Sequence, residues 1–260
     1  MKNLHRLNYF FKLSSDNDSM NNDDSERKKQ ILERYLRMLD KKQKEGSNNI
    51  KNIVSWVKNL SEEERQSFAD KISNIDYSVF SSKYPDEDFF TSKEDILDSI
   101  VYQEKSNGFF AHPEGQPDKI CGYIYGSVAN NYIDNYEFNI LMRGISNSQA
   151  IASIKNKLPD IKKAFKDKKI FYVENLAATM DAGCPNLSGS ILMIEIAKEL
   201  KSKGYRYIFA DFLEQSAKLI SSSRDSQLFK SIGLEVIFNE TLPLDYGEVY
   251  PRSKILIEIK

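Results

Sequence analysis

Apolar residues recur at helical spacing soon after the start of the chain: Ile31, Leu32, Tyr35, Met38 and Leu39, with Arg, Lys and Glu between them. The stretch 41–49, with Gly46, ends that pattern. Ile50, Ile53, Val54, Val57 and Leu60 predict a second helix, with Trp56 beside its apolar face. Ser61-Glu-Glu-Glu64 reads as a capping box in which Glu64 reaches back to the cap amide, and Phe68 and Ile72 carry a third helix inward. Upstream, 14–24 reads SSDNDSMNNDD and has almost nothing to bury, which predicts a flexible linker. Leu7 to Leu13 suits a docked strand or a mobile arm. The expected organisation is an arm and linker over 1–24, a helical accessory region over 25–78 and a larger α/β domain over 79–260. The accessory helices suit a structural role or a partner-binding module.

Beyond residue 79 the period changes. Ser92 with Asp95 marks a helix start, followed by Ile96, Leu97, Ile100 and Val101 on one face. Gly108-Phe-Phe-Ala-His112, a Pro/Gly turn and Lys119 to Val128 predict an antiparallel hairpin. Within 129–169 the pattern predicts helices over 150–158 and 160–168, separated by Pro159. Ile170 to Ala178 is an expected buried strand, Ile191 to Leu200 an apolar helix stopped by Gly204, and Tyr205 to Phe212 a second buried strand. A helical segment then runs up to Gly233, and Leu234 to Phe238 and Lys254 to Ile259 close the set.

Composition narrows the function classes. Lys plus Arg is 37 against 38 for Asp plus Glu, so the formal net charge is −1, with no electrostatic case for nucleic acid or an anionic membrane. The N-terminal apolar run is too short for a signal peptide or a membrane span. Cys121 and Cys184 are the only cysteines, and His5 and His112 the only histidines. Donors so scattered argue against a metal site, and two isolated cysteines make no disulfide framework, which points to the reducing cytoplasm. Cys184 reads as a buried inert thiol or, less simply, as a nucleophile beside a helix N-terminus. The tyrosines at 123, 125, 132 and 136 read as hairpin packing and only secondarily as a substrate wall.

Several strings, in this order, resemble the GNAT superfamily of acyl-CoA N-acyltransferases over residues 80–260, with one insertion near 129–169. Phe109-Phe-Ala111 and Ile120-Cys-Gly-Tyr-Ile-Tyr125 resemble the early hairpin. Tyr172-Val-Glu-Asn-Leu-Ala-Ala178 resembles the central strand that splays from its neighbour and receives the pantetheine arm. Lys201 to Phe209 resembles the helix end and next strand, and Leu228-Phe-Lys-Ser-Ile-Gly-Leu234 the leucine–tyrosine–x–x–x–glycine–phenylalanine signature. The resemblance implies a mixed central sheet with flanking helices, preceded here by a short N-terminal helical region. It implies acetyl-CoA or another acyl-CoA as co-substrate, no metal, and an amine-bearing acceptor, a small molecule or a protein. Leu176, Ala177 and Ala178 would offer backbone groups to pantetheine. Asn186, Leu187, Ser188, Gly189 and Ser190 would hold the pyrophosphate at a helix N-terminus. Glu174 would deprotonate the acceptor amine.

The departures are chemical. Leu187 stands where the family has the first glycine of its phosphate loop, and Cys184 where it has Arg or Gln. A cation there would give charge-assisted bonds worth about 1.5–3 kcal/mol each, and cysteine gives none. Phe229 replaces the tyrosine that often protonates the departing thiolate. For each assignment a plainer reading stands beside it: a surface or salt-bridged carboxylate at Glu174, and a simple helix cap at Ser188-Gly-Ser190. The rival for the whole chain is a GNAT-fold binding or assembly module without catalysis. A third reading is an effector that acylates a macromolecule recognised by 25–75.

Overall fold

The computed structural model describes residues 49–80, 93–98, 107–131, 133–147, 152–179, 184, 188–213, 229–230, 232–241 and 252–260. The expected helix over 25–39 and the linker over 14–24 lie outside the described residues.

Ile50, expected inside a helix, opens a short strand, β1 (Ile50–Asn52), that pairs antiparallel with β2 (Asn107–Ala111). The helical spacing that begins at Ile53 is real but brief, forming α1 (Ile53–Val57). Asn52 decides the change, because its Oδ1 accepts from the Ser55 amide at 3.0 Å and caps the helix one residue after the strand ends. The capping box at Ser61 forms as expected: the Ser61 amide donates to Glu64 Oε2 at 2.7 Å, and the Glu64 amide to Ser61 Oγ at 3.3 Å. It opens α2 (Glu62–Phe80), and Ile96 and Leu97 are buried at the short α3 (Lys93–Ile96).

The expected hairpin is β2 with β3 (Gly122–Val128). The stretch after it holds a helix that the apolar pattern did not reveal, α4 (Asn135–Asn147). Its start was written in a second capping box: Asp134 Oδ1 accepts from the Tyr136 and Glu137 amides, while Glu137 Oε2 accepts from the Asp134 amide. Pro159 does not divide two helices, because α5 (Ala152–Lys166) runs through it. Proline removes one amide donor and crowds the carbonyl four residues back. Both Pro159 and Lys155 are exposed, so water can satisfy that carbonyl. β4 (Ile170–Ala178), α6 (Ser188–Ser202), β5 (Tyr207–Leu213), β6 (Leu234–Thr241) and β7 (Arg252–Ile259) follow the expected order. Gly204, at φ +73°, ends α6 where only glycine is unstrained.

The seven strands form one sheet in the order β1-β2-β3-β4-β5-β7-β6, antiparallel except between β4 and β5. Alternation along the strands sends side chains to two faces. On one face Leu192, Ile196 and Leu200 of α6 pack on Phe109, Ile124, Phe171, Val173 and Ile208. On the other, Ile53, Phe68, Ile72 and Ile75 pack on Phe110, Tyr123, Tyr125 and Ala177 at one end. At the other end of that face Phe138, Ile161 and Phe165 pack on Ile170, Tyr207 and Phe209. The boundary expected at 78/79 therefore falls across a single hydrophobic cluster.

Candidate functional site

The central geometry comes from one extra residue. Between β3 and β4 the register runs Gly122↔Ala178 to Tyr125↔Asn175 and then resumes at Gly126↔Val173, which leaves Glu174 as the unmatched residue of a β-bulge. Gly126 permits it, since a Cβ there would collide with the Tyr172 carbonyl oxygen. The bulge also resets which edge of β4 each backbone group faces. The Thr179 amide donates to Cys121 O at 2.8 Å, so by antiparallel alternation Ala177 and Asn175 direct their polar groups toward β3. Leu176 and Ala178 direct theirs the opposite way, toward β5.

Strand β5 does not meet them. Its parallel ladder with β4 runs from Ile170↔Tyr207 to Val173↔Ala210 and stops at the bulge. Among the described residues no ladder joins β4 to β5 from Glu174 onward, which leaves a cleft between the strands whose β4 side carries the amides and carbonyls of Leu176 and Ala178. The fold is GNAT-like.

At the open end of the cleft α6 begins. Among the described residues, a Cβ built on Gly189 would meet Ala178 Cβ, at 3.9 Å, so the helix N-terminus abuts the end of β4. Its first-turn amides have no partner within the helix and carry the positive end of its dipole. Asn186 and Leu187 lie outside the described residues, and for Ser188 and Ser190 the description extends to the backbone. The structure thus places Glu174, Leu176, Ala177 and Ala178 along one stretch of β4 and Gly189 against the end of that strand. Glu174 is partly exposed, Leu176 packs on the α6 face, and the Ala177 methyl is buried on the opposite face.

Two readings of the cysteines are corrected. Cys121 and Cys184 form a disulfide, with Cα atoms 5.5 Å apart across 63 positions of sequence. Linear separation concealed the reason: Cys121 directly precedes β3, whose first residue pairs with Ala178 at the end of β4, and Cys184 follows shortly after. No thiol remains at 184, inert or nucleophilic, and the ground for placing the chain in a reducing compartment goes with it. Among the described residues no helix is long and apolar enough to cross a membrane, and no group of three or more His, Cys, Asp or Glu is arranged to hold a metal ion. His112 is buried, with Nδ1 2.7 Å from the Pro113 carbonyl oxygen.

Sequence reasoning missed a polar cluster on the face opposite α6. Asp76 of α2 is fully buried; the Tyr123 hydroxyl donates to it, and Asn175 Nδ2 donates to it at 2.9 Å. Burial first, and then the charge and hydrogen bond of Asp76, hold the Tyr123 phenol well above its ordinary pKa, so it stays protonated. The signal was available: Phe68, Ile72 and Asp76 fall four apart, which puts a carboxylate on the apolar stripe of a helix. Across the cleft, Asp211 is the first β5 residue beyond the shared ladder and accepts from the Lys254 ammonium of β7, with both side chains nearly buried. Tyr123 and Tyr125 stack inside the hairpin with centroids 5.9 Å apart, as expected of packing, whereas Tyr136 is exposed on α4 and Tyr132 lies outside the described residues.

No family model and no curated protein matches the chain. Among solved structures it is similar to the aminoglycoside 6'-N-acetyltransferase from Enterococcus faecium, at 14% identity and a TM-score of 0.41, covering 81% of this chain and 97% of that one. It is similar to the ribosomal-protein-S18-alanine N-acetyltransferase from Escherichia coli, at 12% identity and a TM-score of 0.43, covering 81% and 94%. It is also similar to Arabidopsis thaliana NAA60 in complex with acetyl-CoA, at 13% identity and a TM-score of 0.45, covering 81% and 97%. These are likenesses of fold at low identity, and no residue role is taken from them.

Proposed function

We propose that the chain is an acyl-CoA-dependent N-acyltransferase that moves an acetyl or related acyl group onto an amine. The observation that carries this reading is the parting of β4 from β5 at a bulge, which turns the backbone groups of Leu176 and Ala178 into an open cleft. A pantetheine arm, itself a chain of amides, pairs with such an edge as an added strand does. Gly189 supports the position of the pyrophosphate. Among the described residues no close packing contact calls for glycine there. Close approach of a phosphate to the first-turn amides does call for it.

In this reading Glu174, at the point where the strands part, takes a proton from the acceptor ammonium, directly or through water. The freed amine nitrogen attacks the thioester carbonyl, a C–N bond forms and the C–S bond breaks. The CoA thiolate then takes a proton. Phe229 is 3% exposed within the core and has none to give, so water or the positively charged nitrogen of the tetrahedral adduct, which must lose a proton to become the amide, supplies it. A positioned acid typically contributes about 10²–10⁴-fold, and slow turnover is the expected consequence.

The buried Phe229 and the disulfide-bound Cys184 favour one second reading, a module that binds acyl-CoA or a partner without turnover. Release of free CoA from acetyl-CoA in the presence of an amine panel and peptide N-termini separates the two. Amine-dependent thiol release that is lost in Glu174→Gln supports the enzyme. Saturable acetyl-CoA binding with no release supports the module.

A further inference from the structure

We propose that Asp76 is a positioning residue for Glu174, holding the β4 bulge in place from the far side of the sheet; the inference rests on the acyltransferase reading above. The argument begins with support. Over 171–173 β4 is paired on both edges, but from Glu174 onward, among the described residues, it is paired with β3 alone. A strand segment with one bonded edge and a bulge at its root has lost half its ladder at the place where a catalytic carboxylate must be held still. The Asp76 carboxylate replaces part of what β5 no longer gives. It accepts from Tyr123 on β3 and from Asn175 on β4, the residue directly after Glu174, and so ties both strands of the bulge to α2.

The burial of Asp76 sharpens the point. Its neighbours on α2, Phe68, Ile72 and Ile75, are apolar and buried, and the carboxylate lies among them at 0% exposure. Burying an ionised carboxylate costs several kcal/mol unless its hydrogen bonds are made, and an apolar side chain would fill this face without that penalty. A buried carboxylate whose partners flank the bulge is a device for fixing geometry rather than for adding stability. Misplacing a reacting group by about 1 Å can cost about 10²-fold in rate, so a weak hold on Glu174 costs more in turnover than in cofactor binding.

The test uses the full chain and three variants: Asp76→Asn, Asn175→Ala, and Phe68→Leu as a control that loosens the same apolar cluster without touching the carboxylate. Asp76→Asn and Asn175→Ala are expected to lower kcat about 10- to 100-fold, with KM for acetyl-CoA raised by a much smaller factor. Amide hydrogen exchange over 174–176 is expected to quicken in both. Phe68→Leu is expected to lower Tm while leaving kcat and exchange over 174–176 at their original values. Should Asp76→Asn fail to fold, Asn175→Ala decides, since Asn175 is only partly buried. Wild-type kcat in the folded variants, or losses that follow Tm equally in all three, would overturn the proposal. A wild-type chain that neither binds nor turns over acetyl-CoA overturns the acyltransferase reading itself, and the positioning role with it.

Discussion

A methyl group at Gly126 would collide with the Tyr172 carbonyl oxygen and crowd the Phe171 ring. No φ argument is involved, because the constraint is the close approach of two strands at the bulge. Gly126→Ala is therefore expected to destabilise the chain by about 1–3 kcal/mol or to shift the bulge, with acetyl-CoA binding weakened in either case. Denaturant unfolding and titration on one preparation check both effects. Phe229 presents the opposite problem. The family resemblance makes Phe229→Tyr look like the restoration of an acid, yet the ring is packed with Phe212, Leu234 and Ile255. A hydroxyl left unbonded in such surroundings costs about 1–3 kcal/mol, so the expected result is a lower Tm and no gain in kcat. Residue types and order single out Glu174 and Gly189 as candidates. The roles of Asp76 and Asn175 are not legible in the sequence, because each depends on a partner about a hundred positions away or across a helix and a sheet.

The elements themselves were mostly legible, because burial writes its period into the chain. The alternation of Ile170 to Ala178 and the apolar run of Ile191 to Leu200 gave β4 and α6 nearly to their ends. Failures came where a short local signal outweighed periodicity. Asn52 ends a strand and caps a helix in one step, Asp134 and Glu137 start α4 beneath a weak apolar pattern, and Pro159 is tolerated on an exposed face. The disulfide between the start of β3 and the segment before α6 could not be read at all, since cysteine spacing says nothing of spatial approach. Closing a loop across 63 positions limits the unfolded chain by about 4 kcal/mol in the chain-entropy account. Reduction is accordingly expected to lower Tm by roughly 10 °C, measured by paired scans with and without reductant. Equal Tm in both would mean that the bond does not form in the purified protein.

For the molecule as a whole, the relation between its helical beginning and its sheet decides how it can be dissected. Trp56 and Phe68 meet Phe110 edge-on at 5.6 and 5.3 Å, and β1 supplies an edge of the sheet. A chain that starts at residue 79 would expose Phe110 and Tyr123 and leave one edge of β2 unpaired. It is expected to aggregate or unfold, whereas one that starts near residue 49 keeps the described cluster intact. Limited proteolysis with mass identification of the surviving fragment distinguishes them. The order of seven strands, the parallel pair at their centre and the cleft between them lead to one claim above the rest: acyl-CoA binds between the end of β4 and the N-terminus of α6. Calorimetric titration of acetyl-CoA into the full-length chain and into Gly189→Trp tests it most directly. The account predicts saturable one-to-one binding that disappears in Gly189→Trp while its Tm stays unchanged, because bulk at that position meets phosphate rather than core. Undiminished affinity in a folded Gly189→Trp protein, or no binding by the wild-type chain, would contradict it.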